Sequence, residues 1–450
     1  MSGMSLAVRR GVVAALRNGT VPRRGVEALA TGLDRFARAV DDELATAASG
    51  GGVFKAVRGE YGSGKTFFVR WLQHRAQAAG FATAEVQINE TETPLHRTEA
   101  VYRRAMESLR TREWDDGAFR SLVSRWFFSL EEDVCAREGF DPNDAAALTR
   151  EVAALLEQRL AVVSRSQPAF AAALRACHRA RAAGDHATEE GLLAWLMGQP
   201  HVSADIKRAA GLKGEVDTRA ANAFLRGLLS MLRETGRRGL LLVFDEAETL
   251  QRMRADVREK SLGALRQWID DIDAGVYPGL YLAVTGTPAF FEGNQGVKRL
   301  PPLAQRLHVD FGDDARWDNA RAVQVRLPAF DAARLAEVGR KVRDLYPAGD
   351  PAGLARRVGD DFVAALAADV TKGFGGRVGI APRIFLKKLV AGVLDRVDAF
   401  SDFDPAAHFS LTLSAAELTA EECEAAGVVR SVDDIELALP GRDGGPAGDA

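Results

Sequence analysis

Eight residues constrain this chain more than any others. Gly59-Glu60-Tyr61-Gly62-Ser63-Gly64-Lys65-Thr66 fits the pattern GxxxxGK[ST] in full. Glycines let a backbone wrap an anion with several N–H groups pointing inward, at φ values that other residues avoid. The lysine then offers a point charge to the β- and γ-phosphates of a nucleotide, and the hydroxyl of Thr66 is available to Mg²⁺. The pattern alone also occurs by chance, so its setting matters. Val53–Val57 reads as a short buried strand before it, and a helix runs from about Thr66 to Ala79, closed by Gly80. The start of that helix adds its positive end to the anion site. A second strand, Thr83–Ile88, completes a βαβ unit, which implies a parallel sheet with a right-handed crossover.

A site that hydrolyses a phosphoanhydride also needs acids. Leu240-Leu-Leu-Val-Phe-Asp245-Glu246 is an apolar strand ending in two carboxylates. Asp245 is expected to orient the metal, and Glu246 to polarise the attacking water. Two adjacent acids argue for a hydrolase over a simple nucleotide kinase. A later strand, Leu280–Val284, ends in Thr285-Gly-Thr-Pro288. Thr285 is the candidate for a hydrogen bond to the water or γ-phosphate, with Thr287 as its competitor. Two arginines complete the candidate set. Arg306, with Arg299 nearby, is read either as a finger acting in trans or as one half of an intradomain salt bridge. Arg383 follows Pro382 at a helix start, where a lid would bring it back to the γ-phosphate.

With 450 residues, 47% of them hydrophobic, the chain can build more than one structural unit. Residues 1–52 read as an N-terminal helical segment and 53–330 as the nucleotide-binding domain. A helical insertion at about 97–215 interrupts that domain, with amphipathic stretches at Phe119–Cys135 and Ala145–Val163. A helical lid follows at 331–398, then a small segment at 399–439 and a Gly/Pro/Asp-rich tail at 440–450. The net charge of −3 announces no general nucleic-acid binder. The pairs Arg23-Arg24, Arg103-Arg104 and Lys387-Lys388 remain local candidates for phosphate contacts. Three distant cysteines and seven scattered histidines suggest neither disulfides nor a metal cluster. No signal peptide is indicated, and the longest apolar runs fall far short of the ~20 residues a membrane span needs. A cytoplasmic protein without membrane contact is therefore expected.

These motifs, in this order, resemble the AAA+ class, near its origin-recognition and STAND-type branch. The resemblance implies an α/β fold: a P-loop NTPase (AAA+-like) parallel sheet with a helical insertion and a C-terminal helical lid. The long separation of Lys65 from Asp245 fits that insertion. More specific blocks are Gly11–Gly25, Phe54–Thr66, Glu90-Thr-Glu-Thr-Pro-Leu-His96, Thr285-Gly-Thr-Pro-Ala-Phe-Phe291 and Arg377–Lys388. They are similar to the BrxD family of ATP-binding proteins from BREX phage-defence systems, over about residues 5–439. This implies ATP and Mg²⁺ as ligands, and a part in anti-phage defence beside a helicase and other defence proteins. The expected action is that of a nucleotide-driven switch or motor on partner proteins or DNA, with a non-hydrolysing ATP-binding adaptor as the alternative. DNA binding and homo-oligomerisation stay open. With only the strand candidates Phe409–Leu413 and Asp434–Leu439 after the lid, the complete winged helix of the origin-recognition branch is not expected.

Overall fold

Strands of five or six apolar residues with no polar face must be covered on both sides. Leu240–Asp245 and Leu280–Gly286 are buried at every position. In the computed structural model, which describes residues 4–373 and 381–411, they form the centre of a five-stranded sheet. The strands are β1 (Val53–Arg58), β2 (Ala82–Gln87), β3 (Leu240–Asp245), β4 (Leu280–Gly286) and β5 (Gln324–Arg326). Their order is β2-β3-β4-β1-β5, and every pairing is parallel. This is an α/β P-loop NTPase sheet. Strand β5 is the one element of it that the sequence reading did not anticipate; three residues carry too little pattern to be seen.

Alternation along each strand sends side chains to opposite faces. One face, with Val57, Leu241, Val243 and Tyr281, is covered by Phe36, Val40 and Leu44 of the Asp34–Ala48 helix and by Phe68 and Leu72 of the Lys65–Ala78 helix. Phe36 meets Phe68 edge to face at 5.5 Å. The other face, with Ala56, Leu240, Leu242, Phe244 and Leu282, continues without a break into the helices between β2 and β3. Residues of the expected insertion therefore share the core of the nucleotide unit. Phe224 stands at the centre of their packing, with ring centroids 5.2 Å from Trp195, 5.3 Å from Phe170 and 6.1 Å from Tyr102. The turns between these helices end in carboxylate caps. Asp144, Asp185 and Asp217 each accept a backbone N–H from three residues on.

A sheet edge needs protection from further pairing. The free edge of β2 is closed by a short antiparallel bridge, in which Thr83 and Arg110 exchange N–H···O bonds of 2.9 and 2.8 Å.

The described residues fall into two compact units. One runs to Ala329 and takes in everything before it except Leu16–Thr20; the other consists of Leu16–Thr20 and the residues from Phe330 on. The second unit is helical: Ala332–Leu345, Pro351–Arg357, Asp360–Gly373 and a long element from Ala381 to Ala399. That element passes through a π-helical stretch at Lys388–Leu394. Arg17 binds Asp395 through two bonds of 2.6 and 2.7 Å, and the Tyr346 hydroxyl donates to the same carboxylate. The strand expected at Phe409–Leu413 is corrected over its described part. Pro405–His408 is a short helix and Phe409–Leu411 follows it without strand pairing, because this unit offers no strand to pair with among its described residues. Asp434–Leu439, the 440–450 tail, and Gly379 with Ile380 of the lid motif lie outside the described residues.

Candidate nucleotide site

Parallel pairing aligns the carboxyl ends of four strands, and ligands of open α/β sheets bind beyond such ends. Arg58 is level with Gly286, Val57 with Thr285, and Gln87 with Asp245. The P-loop, Asp245, Glu246 and Thr285 all stand along this line.

From β1 the chain enters the Gly59–Gly64 loop. Gly64 caps the Lys65–Ala78 helix at φ 90°, ψ 24°, a left-handed conformation that costs a side-chain-bearing residue energy. Gly59 is needed for a different reason. A Cβ there would stand 2.2 Å from the Ser63 hydroxyl. Ser63 is buried, and its Oγ has no hydrogen-bond partner among the described residues. Such an orphan costs about 1–3 kcal/mol, which a phosphate oxygen would offset. Lys65 Nζ turns back onto its own loop, donating to the carbonyls of Gly59 at 2.9 Å and Glu60 at 3.4 Å. It also lies 5.0 Å from the Tyr61 ring centroid. A buried ammonium held by carbonyls, an orphan hydroxyl and a helix N-terminus together fit a polyphosphate.

The acids stand at the end of β3. Asp245 is buried and accepts the Thr285 hydroxyl. Burial pushes its carboxyl above the ordinary 3.8, against the opposing effect of that hydrogen bond. Glu246 has φ 58°, ψ 42°, a left-handed backbone at a residue that is not glycine. Its N–H donates to Thr285 Oγ1 at 3.1 Å, and its carboxylate accepts Gln87 Nε2 at 2.8 Å. Thr285 is thus a fully buried clamp, its hydroxyl engaged by Asp245 and by the Glu246 backbone. Thr287 has a separate task, capping the Pro288–Glu292 helix by accepting the Phe290 N–H.

Two residues here escaped the sequence reading. Glu248 is buried, and a 3₁₀ turn over Ala247–Arg252 brings its Oε1 to 3.5 Å from Lys65 Nζ. Its other oxygen has no partner among the described residues, and burial raises its carboxyl above the ordinary 4.5 while Lys65 lowers it. Gln87, the last residue of β2, is the only side chain bonded to the Glu246 carboxylate among the described residues. Three acids in the four residues Asp245–Glu248 were the available signal for Glu248. Gln87 carried none, since the end of an edge strand is commonly polar.

Thr66 is exposed in the first helical turn. With Asp245 it forms the oxygen set that could hold Mg²⁺, a metal that keeps several waters and phosphate oxygens as its other ligands. Among the described residues there is no group of three His, Cys, Asp or Glu side chains poised for a metal ion. The two arginines are elsewhere. Arg306 bonds Asp270 through Nε and the Pro302 carbonyl through Nη1 at 2.9 Å, which is the salt-bridge alternative to a finger. Arg299 is likewise paired, with Glu259 at 2.6 Å. Arg383 belongs to the second unit, in the first turn of the Ala381–Lys387 helix with its side chain alongside Gly19.

The chain is similar to known proteins at two levels. The family model described as "BREX system ATP-binding protein BrxC/D" matches residues 4–413. No curated protein matches the chain in sequence. Among solved structures, the Aeropyrum pernix ORC1 protein in complex with DNA is similar at 14% identity and a TM-score of 0.33. The alignment covers 84% of this chain, which spans 65% of that one. No described helix is long and apolar enough to cross a membrane.

Proposed function

The chain belongs to the BREX-system ATP-binding protein family, and from that premise we propose that it is a Mg²⁺-dependent ATPase, acting as a nucleotide-driven switch or motor on other defence proteins or on DNA. One observation carries the reading. The Thr285 hydroxyl joins the Asp245 carboxylate to the Glu246 backbone, at the strand beside the P-loop strand. That clamp holds two acids in fixed positions with different tasks.

Lys65 is close to the site of charge but spends its donors on Gly59 and Glu60 carbonyls. Phosphate oxygens replace these neutral acceptors with anionic ones. Thr66 and Asp245 would hold Mg²⁺, which would supply neutralisation of phosphate charge. Glu246 positions the attacking water and accepts its proton, once its carboxylate leaves Gln87. Thr285 acts through both acids as a positioning residue. Arg306 in trans and Arg383 from the lid are the further candidates for charge on the transferring group, each at the cost of its present contacts.

The bond from Gln87 to Glu246 favours a second reading: a resting protein that binds ATP and hydrolyses little until a partner intervenes. Phosphate release by wild type and Glu246→Gln, with and without duplex DNA and across protein concentration, tests both. Release that rises with DNA or concentration and disappears in the variant supports the switch or motor. A large thermal shift with ATP, worth about 4 kcal/mol at roughly 1,000 times Kd, with no release in any condition, leaves the adaptor.

A further inference from the structure

Many exposed arginines among the described residues stand beside a carboxylate, as Arg24 does beside Asp115 and Arg104 beside Glu107. One group of cations in the second unit does not. A hollow of about 380 Å³ is lined by Lys387, Lys388, Gly392, Arg396, His408 and Ser410, together with Ala391 and Phe409. No acid lines it. Lys387 and Arg396 have no carboxylate partner among the described residues, and Arg396 instead lies 5.9 Å from the Phe403 ring centroid.

Three acids close to it in sequence are committed elsewhere. Asp395 is held by Arg17 and Tyr346, Asp398 accepts the Gly349 N–H at 2.9 Å, and Asp404 caps the Pro405–His408 helix. His408 Nδ1 accepts the Asp404 N–H at 3.0 Å, which leaves its Nε2 as a donor in the neutral ring. Lysine, arginine, this Nε2 and the Ser410 hydroxyl make a lining whose polar side chains all donate. Its wall is shaped by two features of backbone and packing. The helix opens to π geometry at Lys388–Leu394, a distortion found often at functional sites. Gly392 there lets Phe409 approach to where a Cβ would be 2.7 Å from its ring, which seats the Pro405–Ser410 segment as the second wall.

We propose that this hollow is a second phosphate site, separate from the P-loop, which binds phosphate esters through Lys387, Arg396 and His408. The ligand is a nucleic-acid backbone or a free polyphosphate. The chemistry is shared, and the test separates the two sources.

Full-length protein is first saturated with Mg·ADP, so that the P-loop is filled. Binding of a labelled DNA duplex is followed by anisotropy across salt, and inorganic tripolyphosphate is titrated by calorimetry. A Lys387→Gln, Arg396→Gln double variant is expected to weaken the physiological ligand by about tenfold and to reduce the salt slope by about 0.9 for each phosphate that is no longer neutralised. Weakening confined to the duplex identifies a nucleic-acid backbone, and weakening confined to tripolyphosphate identifies a free polyphosphate. Arg396→Lys, which keeps the charge, should recover part of the affinity. The ADP-induced thermal shift reports folding; if the double variant lacks it, the exposed Arg396→Gln change alone is read in the same way. Wild type that binds neither probe, or variants that bind both unchanged, would overturn the site.

Discussion

The sheet tip and the hollow of the second unit are both built for negative charge, yet they treat their cations in opposite ways. At the tip, Lys65 is buried and already satisfied by two carbonyls and the Glu248 carboxylate. In the hollow, Lys387 and Arg396 stand without a carboxylate among the described residues. The first arrangement makes a ligand compete with internal partners, so binding rearranges the protein. The second lets a ligand displace only water and counterions, so binding is salt-sensitive and leaves the fold alone. A switch needs the first kind of site; an anchor needs only the second.

The contrast can be broken most sharply at Glu246. Glu246→Gln should lower phosphate release by roughly 10²–10⁴-fold while ATP still raises the melting temperature, and unchanged release would remove Glu246 from its role. Next comes the clamp. Thr285→Val removes the hydroxyl that serves both acids and leaves the Glu246 N–H without its acceptor, at a cost of about 1–3 kcal/mol. Denaturant melts of the apo protein read this, and turnover should fall with it.

A smaller effect tests the internal competitor. Glu248→Gln should tighten ATP severalfold in calorimetry, since the Lys65 ammonium no longer has a carboxylate to leave; equal or weaker binding would show that Glu248 supports the lysine and does not compete for it. Its pH dependence has a definite sign. Burial raises the folded-state value of Glu248 above the ordinary 4.5, so the folded protein holds this proton more tightly than the unfolded chain. The stability it contributes is complete below that ordinary value and is lost as pH rises through the raised one. The melting temperature of Glu248→Gln relative to wild type should therefore climb with pH in that window, and a flat difference would refute the account. Turnover is changed least from the hollow, where Lys387→Gln and Arg396→Gln should alter ligand binding and its salt slope with no effect on basal phosphate release.

What was legible in the sequence was local. The P-loop, the apolar strands and the acids at the end of β3 each occupy a few consecutive residues, and their order along the chain supplies the setting that each pattern needs. The structure brings Lys65, Asp245, Glu246 and Thr285 to neighbouring strand ends because the register of four parallel strands puts them there. Illegible features depended on partners distant in sequence. Nothing in β2 announces that Gln87 will meet a carboxylate 159 positions away. Arg306 is sited like a finger in sequence, and only the packing of its helix against Ala255–Asp273 reveals Asp270 beside it. The hollow needed two segments at once, of which the Lys387-Lys388 pair was visible and the missing acids were not.

The left-handed backbone of Glu246 has a consequence for anyone improving this protein. Holding a residue with a Cβ at φ 58° costs about 1 kcal/mol or more that glycine would not incur. A screen for heat-resistant variants, run without a turnover assay, would therefore reward Glu246→Gly and return sturdier molecules that have lost the residue proposed as their base. If Glu246 has that role, robustness and work are selected in opposite directions at this position.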